Sequence, residues 1–279
     1  VEIAKPDVAV LTAISAAHTE GLKDVNGVLR EKLKLIEGMK DRGVGFVNGD
    51  FENLKIAAMM IPKRIVLFGT TKGVDIQAQN IKWDKYGLSF VIESNRFFMP
   101  VLGRFWVYSA LVAYCIGREF GVGIAEISDV FAGFDGLDGR MKLYEKNEIT
   151  IIDDTYNANP LAMKEALMTV YGLKARRRIA FLGDMLELGE LAFVSHRELG
   201  RLVKELGFDI VYFVGKLSKD AYEQATANND KDVRWFSSVD EALESVKSLE
   251  LQKGDIILIK GSRRMNMERL FNAITEVIK

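Results

Sequence analysis

Polar and apolar positions along the chain follow two periods. Short runs rich in β-branched residues, VAVLTAI (8–14), GVGFVNGD (43–50), EITIIDD (148–154), RRIAFLGD (177–184), DIVYFVG (209–215), VRWFSS (233–238) and DIILIKGS (255–262), read as strands. Between them, apolar residues three and four apart predict helices over 25–40, 160–173, 195–207, 218–229, 239–249 and 267–279. Alternation of this kind predicts an α/β architecture with mainly parallel strands and right-handed crossovers. From 64 to 102 the texture changes: RIVLFGT, VDIQAQNIKWDKYGLSFVIE and RFFMPVL alternate at a period of two around a KYG turn, which predicts an antiparallel meander. Two helices follow, FWVYSALVAYCIGREFG (105–121), largely buried and ending at Gly121, and IAEISDVFAGF (124–134); GLDGR (136–140) then reads as a hinge. The expected organisation is residues 1–139 as one domain and residues 140–279 as a second, doubly wound, Rossmann-like one.

Length and composition narrow the picture. The 279 residues are 48 % hydrophobic, enough to bury one large core or two moderate ones. With 38 basic against 39 acidic residues the net charge is −1, so no global field points to nucleic acid or an anionic membrane as partner. Cys115 is the single cysteine and lies in an apolar run, which excludes an internal disulfide or a cysteine zinc site and fits a reducing cytoplasm. No apolar segment reaches the roughly 18 residues of a membrane span. The chain starts without methionine and enters almost at once into a strand-like run, so it is expected to begin within something longer.

In doubly wound sheets ligands gather outside the carboxyl ends of the strands, and those ends here are DDTYNANP, GDMLELGE, VGK and KGSRRMNME. Asp153, Asp154, Tyr156, Asn157 and Asn159 suit ribose hydroxyls or a metal-bound water; equally, they form a turn into the next helix with Pro160 at its first position. Gly183 and Asp184 form either a phosphate-side loop or a tight turn. Lys260, Ser262, Arg263 and Arg264 suit a carboxylate or phosphate, or are a solvated helix start. In the first domain His18 follows a strand and Lys32 lies in the next helix beside Arg30 and Lys34. Histidine is a common metal ligand; spacing alone makes Lys32 a lysine on a solvated helix face. His196 reads as a packing or capping residue.

Together, DDTYNANP, LGDMLELGE with HRELG, KGSRRMNME, AHTEGLKDVNGVLREK and FGTTKGVDIQAQNI resemble the Mur ligases, in particular those that join D-alanyl-D-alanine to a UDP-N-acetylmuramoyl-tripeptide. The resemblance runs from about Pro6 to the C-terminus. It implies an ATP-dependent amide-bond ligase of cell-wall synthesis, with a central ATPase-type domain carrying the meander and a C-terminal domain receiving the acceptor. It further implies that His18 binds Mg²⁺ and that Lys32, fourteen residues on, is carbamylated to shape the same site, a role opposite to the one spacing gives it. Asn48 matches a residue near the nucleotide, and Arg140, Asp154 and Tyr156 belong to the part that closes over ATP. Asn157, Asn159, Pro160, Asp184, Met185, Lys260, Ser262 and Arg263 fall on the acceptor side.

The chain also departs from the family pattern. No G-x-x-x-x-G-K-[ST] phosphate loop occurs in it, nor the domain that grips the UDP end, nor an acidic magnesium-binding segment. It therefore reads as the C-terminal part of a longer ligase, inactive alone and partnered by the missing N-terminal portion. After Gly103 and Arg104, Phe105 and Trp106 replace the family's His-Asn pair near the adenine. NGDFEN stands for a more usual NADD, and Arg264 for a small residue. Two other readings stand beside the first: a non-catalytic ligase-like module that binds a partner, and a related ligase for a different amino acid or dipeptide.

Overall fold

The computed structural model describes residues 5–14, 24–226 and 232–278. The chain divides into two compact domains, Val1–Asp135 and Gly136–Lys279, a few residues ahead of the boundary expected at 139/140.

In the first domain β1 (Val8–Leu11), β2 (Val44–Asn48), β3 (Arg64–Gly69), β4 (Ile76–Asp84), β5 (Gly87–Ile92) and β6 (Asn95–Met99) lie in that order in one sheet. The first three pair in parallel, β3 meets only the start of β4 in parallel, and β4 to β6 run antiparallel. RIVLFGT is thus not part of the meander, as its alternation suggested. Its last three strand residues are all buried, because a helix that the hydrophobic pattern did not predict, α2 (Glu52–Met59), returns the chain from β2 to lay β3 parallel beside it.

Both faces of this sheet are covered. Phe46, Phe68, Leu88, Phe90 and Phe97 pack under α3 (Trp106–Glu119) and α4 (Ile124–Ala132), while Leu11, Val47 and Leu67 pack with Ile36 of α1 (Val25–Glu37) and Leu54 of α2. Phe46 and Val47 belong to opposite cores because successive strand residues point to opposite faces.

In the second domain the sheet order is β11 (Asp232–Phe236), β10 (Ile210–Val214), β9 (Arg177–Gly183), β12 (Asp255–Lys260), β8 (Ile149–Asp154) and β7 (Lys142–Lys146). All neighbours are parallel except β7 and β8. The β7 hairpin escaped the sequence reading: its two-residue turn is Asn147–Glu148, with φ of +53° and +61°, and a glutamate is an uncommon residue for that left-handed geometry. Helices α8 (Val239–Val246) and α9 (Glu268–Val277) pack on Ile151, Phe181, Tyr212 and Ile257. Helix α5 (Pro160–Gly172) packs against β12 and α7 (Ser218–Ala225) against β10, with α6 (Ala192–Leu206) between those two helices. No helix among the described residues is long and apolar enough to cross a membrane.

Gly200 sets how closely α6 and α7 approach. A Cβ at that position would lie 2.2 Å from the carbonyl oxygen of Ala221. Glycine to alanine in a helix interior ordinarily stabilises by about 1 kcal/mol. Here Gly200→Ala is expected to lower stability by roughly 1–3 kcal/mol, because the two backbones must separate. Urea unfolding followed by circular dichroism measures the sign; a gain in stability would show that the helix pair is not tightly seated.

Candidate functional site

The register of the second sheet brings its strand ends together. Lys260 at the end of β12 sits opposite Asp154 of β8 and Leu182 of β9, and Val214 of β10 sits opposite Gly183. The loops DDTYNANP, GDM, GK and KGSRR therefore leave one edge of one sheet, as a doubly wound topology requires.

At the centre of that edge Lys260 is 2 % exposed, and its Nζ donates to Asp154 Oδ2 at 2.6 Å and to the Asn157 carbonyl at 2.9 Å. The other Asp154 oxygen accepts the Met141 N–H at 3.2 Å. Burial pushes the Asp154 carboxyl above the usual carboxylate range, against the pull of the Lys260 ammonium. Asp153 accepts from the Gly139 N–H and from the backbone and hydroxyl of Thr155. Arg140, between the two anchored residues, is exposed and lays its guanidinium 3.8 Å from the Tyr156 ring centroid.

The rest of the DDTYNANP loop starts a helix. Asn159 accepts the Ala162 N–H as the N-cap of α5, and Pro160 takes the first helical turn. Asn157 is exposed, and its side-chain oxygen accepts from the Ala158 N–H.

The GDM loop is tied down from three directions. Asp184 Oδ1 accepts the Ser218 N–H at 2.7 Å, the Asp184 carbonyl accepts the Ser262 N–H, and Ser262 Oγ accepts the Leu186 N–H at 2.9 Å. His196, fully buried, accepts the Met185 N–H at Nε2 and, with Nδ1 2.7 Å from the Ala192 carbonyl, donates there. These two bonds fix the neutral tautomer with the proton on Nδ1. Asp184, Met185 and Ser262 are buried, whereas Arg263 is exposed and pairs with Glu268 at 3.4 Å.

In the first domain the structure draws Lys32 and Asn48 to the chain leaving β1. Lys32 lies on the exposed side of α1, yet its Nζ donates to the Ala13 carbonyl at 2.8 Å, and partial burial lowers its pKa. Asn48 is fully buried and donates to the Thr12 carbonyl at 2.7 Å. His18 lies outside the described residues. Beyond Asn48, Asp50 collects the backbone and hydroxyl groups of Thr70 and Thr71 and the Tyr108 hydroxyl, and its own N–H donates to Asn48 Oδ1. Burial pushes the Asp50 carboxyl up, but the Thr71 and Thr70 hydrogen bonds outweigh it and hold it below the usual range. Burial, with the Asp50 contact, pushes the Tyr108 phenol up to about 12. Among the described residues no cluster of three or more His, Cys, Asp or Glu side chains could hold a metal ion.

Two family models match this chain: the Mur ligase middle domain over residues 1–117, and the Mur ligase glutamate ligase domain over residues 139–263. The chain belongs to the Mur ligase family. A UDP-N-acetylmuramoyl-tripeptide–D-alanyl-D-alanine ligase of Bacillus subtilis is 33 % identical to this Mur ligase chain, over 98 % of the chain and 60 % of that protein. Its counterpart in Haemophilus influenzae is 29 % identical, over 100 % of the chain and 61 % of that protein. Among solved structures, MurF from Acinetobacter baumannii superposes with a TM-score of 0.87 at 28 % identity, covering 99 % of this chain and 61 % of that one. MurF ligase from Thermotoga maritima in complex with ADP superposes at 0.86 with 23 % identity, over 99 % and 63 %, a likeness of fold. The chain thus spans about 60 % of the length of the Bacillus subtilis relative.

In the first domain several residues that gather around the end of β2 were absent from the sequence reading. Asp50, Thr70, Thr71 and Tyr108 gave only a faint signal, an acid after β2 and a Thr-Thr pair after β3; Tyr108 stands 58 residues from Asp50 in the chain. Trp106, singled out as a substitution, packs in the first core with its ring 5.5 Å from Phe134. His196 generates a prediction. Burial lowers its pKa from the ordinary 6.5, so below pH 6.5 the unfolded chain takes up a proton that the folded one refuses. Its stabilising contribution is complete above pH 6.5 and is lost as pH falls below it toward the depressed folded value. Comparing urea unfolding of the native chain and His196→Gln between pH 7.5 and 5.5 tests this. The native chain should lose stability faster on acidification, by at most about 1.4 kcal/mol per pH unit. Parallel pH profiles would contradict it.

Proposed function

We propose that the chain supplies the middle and acceptor-side domains of an ATP-dependent ligase that joins D-alanyl-D-alanine to a UDP-N-acetylmuramoyl-tripeptide in making peptidoglycan precursor. The observation that carries this reading is the convergence of Arg140, Tyr156, Asn157 and Arg263 at the strand ends of the second domain, in a chain bearing both Mur ligase domains. That the Bacillus subtilis and Haemophilus influenzae relatives are D-alanyl-D-alanine ligases supports the substrate class.

In this reading ATP supplies activation of the tripeptide carboxylate as an acyl phosphate, which the D-alanyl-D-alanine amine attacks with release of phosphate. The chain's own residues bind and orient. Arg140, a delocalised cation stacked on an aromatic ring, suits phosphate oxygens, and Tyr156 offers a face beside it. Asn157, Asn159, Ser262 and Arg263, with Asp184 and Met185 behind them, form the acceptor side, where Arg263 suits the dipeptide carboxylate. Asp154 meets the nucleotide side through the backbone it holds, since its two oxygens already accept from Lys260 and Met141.

Magnesium fits these residues in one form only. The Lys32 ammonium is a donor, as its bond to Ala13 shows, and partial burial holds its pKa below the ordinary lysine value, which eases release of the proton that the amine must lose before it combines with carbon dioxide. The resulting carbamate, with His18, would give Mg²⁺ an anionic ligand, and the metal there would neutralise phosphate charge.

Two measurements test the proposal. The chain alone, given ATP, Mg²⁺, tripeptide nucleotide and D-alanyl-D-alanine, should release no phosphate above background in a coupled assay; robust turnover would overturn the claim that a phosphate loop is needed. Titrating the chain with D-alanyl-D-alanine should shift the backbone resonances of Asn157, Asn159, Ser262 and Arg263 more than a single D-alanine does. Equal shifts would favour a ligase for another acceptor, and shifts confined to other surfaces would refute the acceptor-side assignment.

A further inference from the structure

We propose that the buried Lys260–Asp154 pair is a positioning device: it holds the segment 139–141, and with it the Arg140 guanidinium, at the strand ends, and Lys260 works through Asp154 without touching a substrate. Its bearing on ligation rests on the role proposed above for Arg140.

The geometry forms a chain of contacts. Lys260 is sealed from water, and both of its hydrogen bonds run inward, to Asp154 and to the Asn157 carbonyl. A carboxylate as buried as Asp154 stays ionised only beside a cation, and an ionised carboxylate is the stronger acceptor for the Met141 N–H at its other oxygen. One residue pair away, Asp153 Oδ2 accepts the Gly139 N–H at 3.1 Å, and the Tyr156 N–H donates to the Gly139 carbonyl at 3.0 Å. The two aspartates thus grip the amides on either side of Arg140.

The backbone they grip is one that would otherwise relax. Gly139 has φ of +72° and Met141 φ of +52°, both in the left-handed region. A methionine adopts that conformation rarely, and it persists where the surroundings over-determine it. At Gly139 a Cβ would lie 3.2 Å from Cβ and N of Tyr156, so the segment is pressed against the loop whose ring Arg140 covers. With both neighbours fixed, Arg140 has one backbone position from which to reach the Tyr156 face. Net stability does not explain the pair, because apolar residues of similar volume usually replace a buried ion pair at no cost.

The test uses residues 1–279 and two variants, Lys260→Met and the double variant Asp154→Leu/Lys260→Met, which buries no unpaired charge and so keeps the fold. Amide exchange by NMR reads Gly139 and Met141 against Phe181 and Leu258 in the sheet core. The side-chain protons of Arg140 report the Tyr156 ring through their upfield shift. In the double variant Met141, which loses its acceptor, should exchange about tenfold or more faster, and Gly139, still bonded to Asp153, should follow by a smaller factor, with Phe181 and Leu258 unchanged. The Arg140 protons should move toward free-arginine positions. Lys260→Met, where it folds, should do the same with additional loss of protection in the core. Native values for Gly139, Met141 and Arg140 in the double variant would overturn the proposal, as would acceleration of all four amides by one common factor. Failure of the acceptor titration with this clamp intact would instead count against the ligase reading alone.

Discussion

A lysine and an aspartate, 2.6 Å apart and almost wholly out of water, hold the ends of two neighbouring strands in the second domain. The segment 139–141 and the start of the DDTYNANP loop refer back to them. The Asn157 carbonyl and the Met141 amide are bonded to the pair, Asp153 continues the grip to Gly139, and Arg140 emerges between. Removing one partner of such a pair leaves an uncompensated buried charge and costs about 3–5 kcal/mol. Where the parallel strands converge, the pair ties the Asn157 carbonyl and the Met141 amide to the sheet, and in the function proposed above this orders the loops before a ligand binds.

The first domain solves the same problem with a different group. Asp50 takes the place of an ion pair by accepting from two threonines and a tyrosine, so that the turn after β2 and the turn after β3 are fixed to each other and to α3. Asn48 extends that order to the Thr12 carbonyl, and Lys32 reaches the next carbonyl along, Ala13. In both domains a buried or half-buried carboxylate at a strand end organises backbone amides, and cationic side chains are brought to the same edge.

Most of the architecture was legible in the sequence because parallel strands buried on both faces leave continuous apolar runs, as in VGFVN and DIILIK. The elements that escaped lacked such a signature. Helix α2, ENLKIAAM, is short, with Ile56 and Met59 exposed, so its pattern does not mark a buried face. The β7 hairpin turns on Asn-Glu in place of Asn-Gly. Of the site, the strand-end motifs stood out as residue types, and their partners did not. Lys260 reads as an exposed basic residue beside Arg263 and Arg264, yet it is buried, because β12 ends in mid-sheet opposite an aspartate 106 residues away. Sequence shows which charges are present; only the register decides which of them meet.

A double-mutant cycle on Asp154 and Lys260 probes that pairing most directly. Asp154→Leu, Lys260→Met and the double variant would be unfolded in urea at neutral pH and compared with the native chain. The account predicts that each single substitution costs about 3–5 kcal/mol and that the double variant costs less than either, because the charge left behind by the first is removed by the second. Losses in the double variant equal to the sum of the two single losses would show that the residues act independently, and would contradict it.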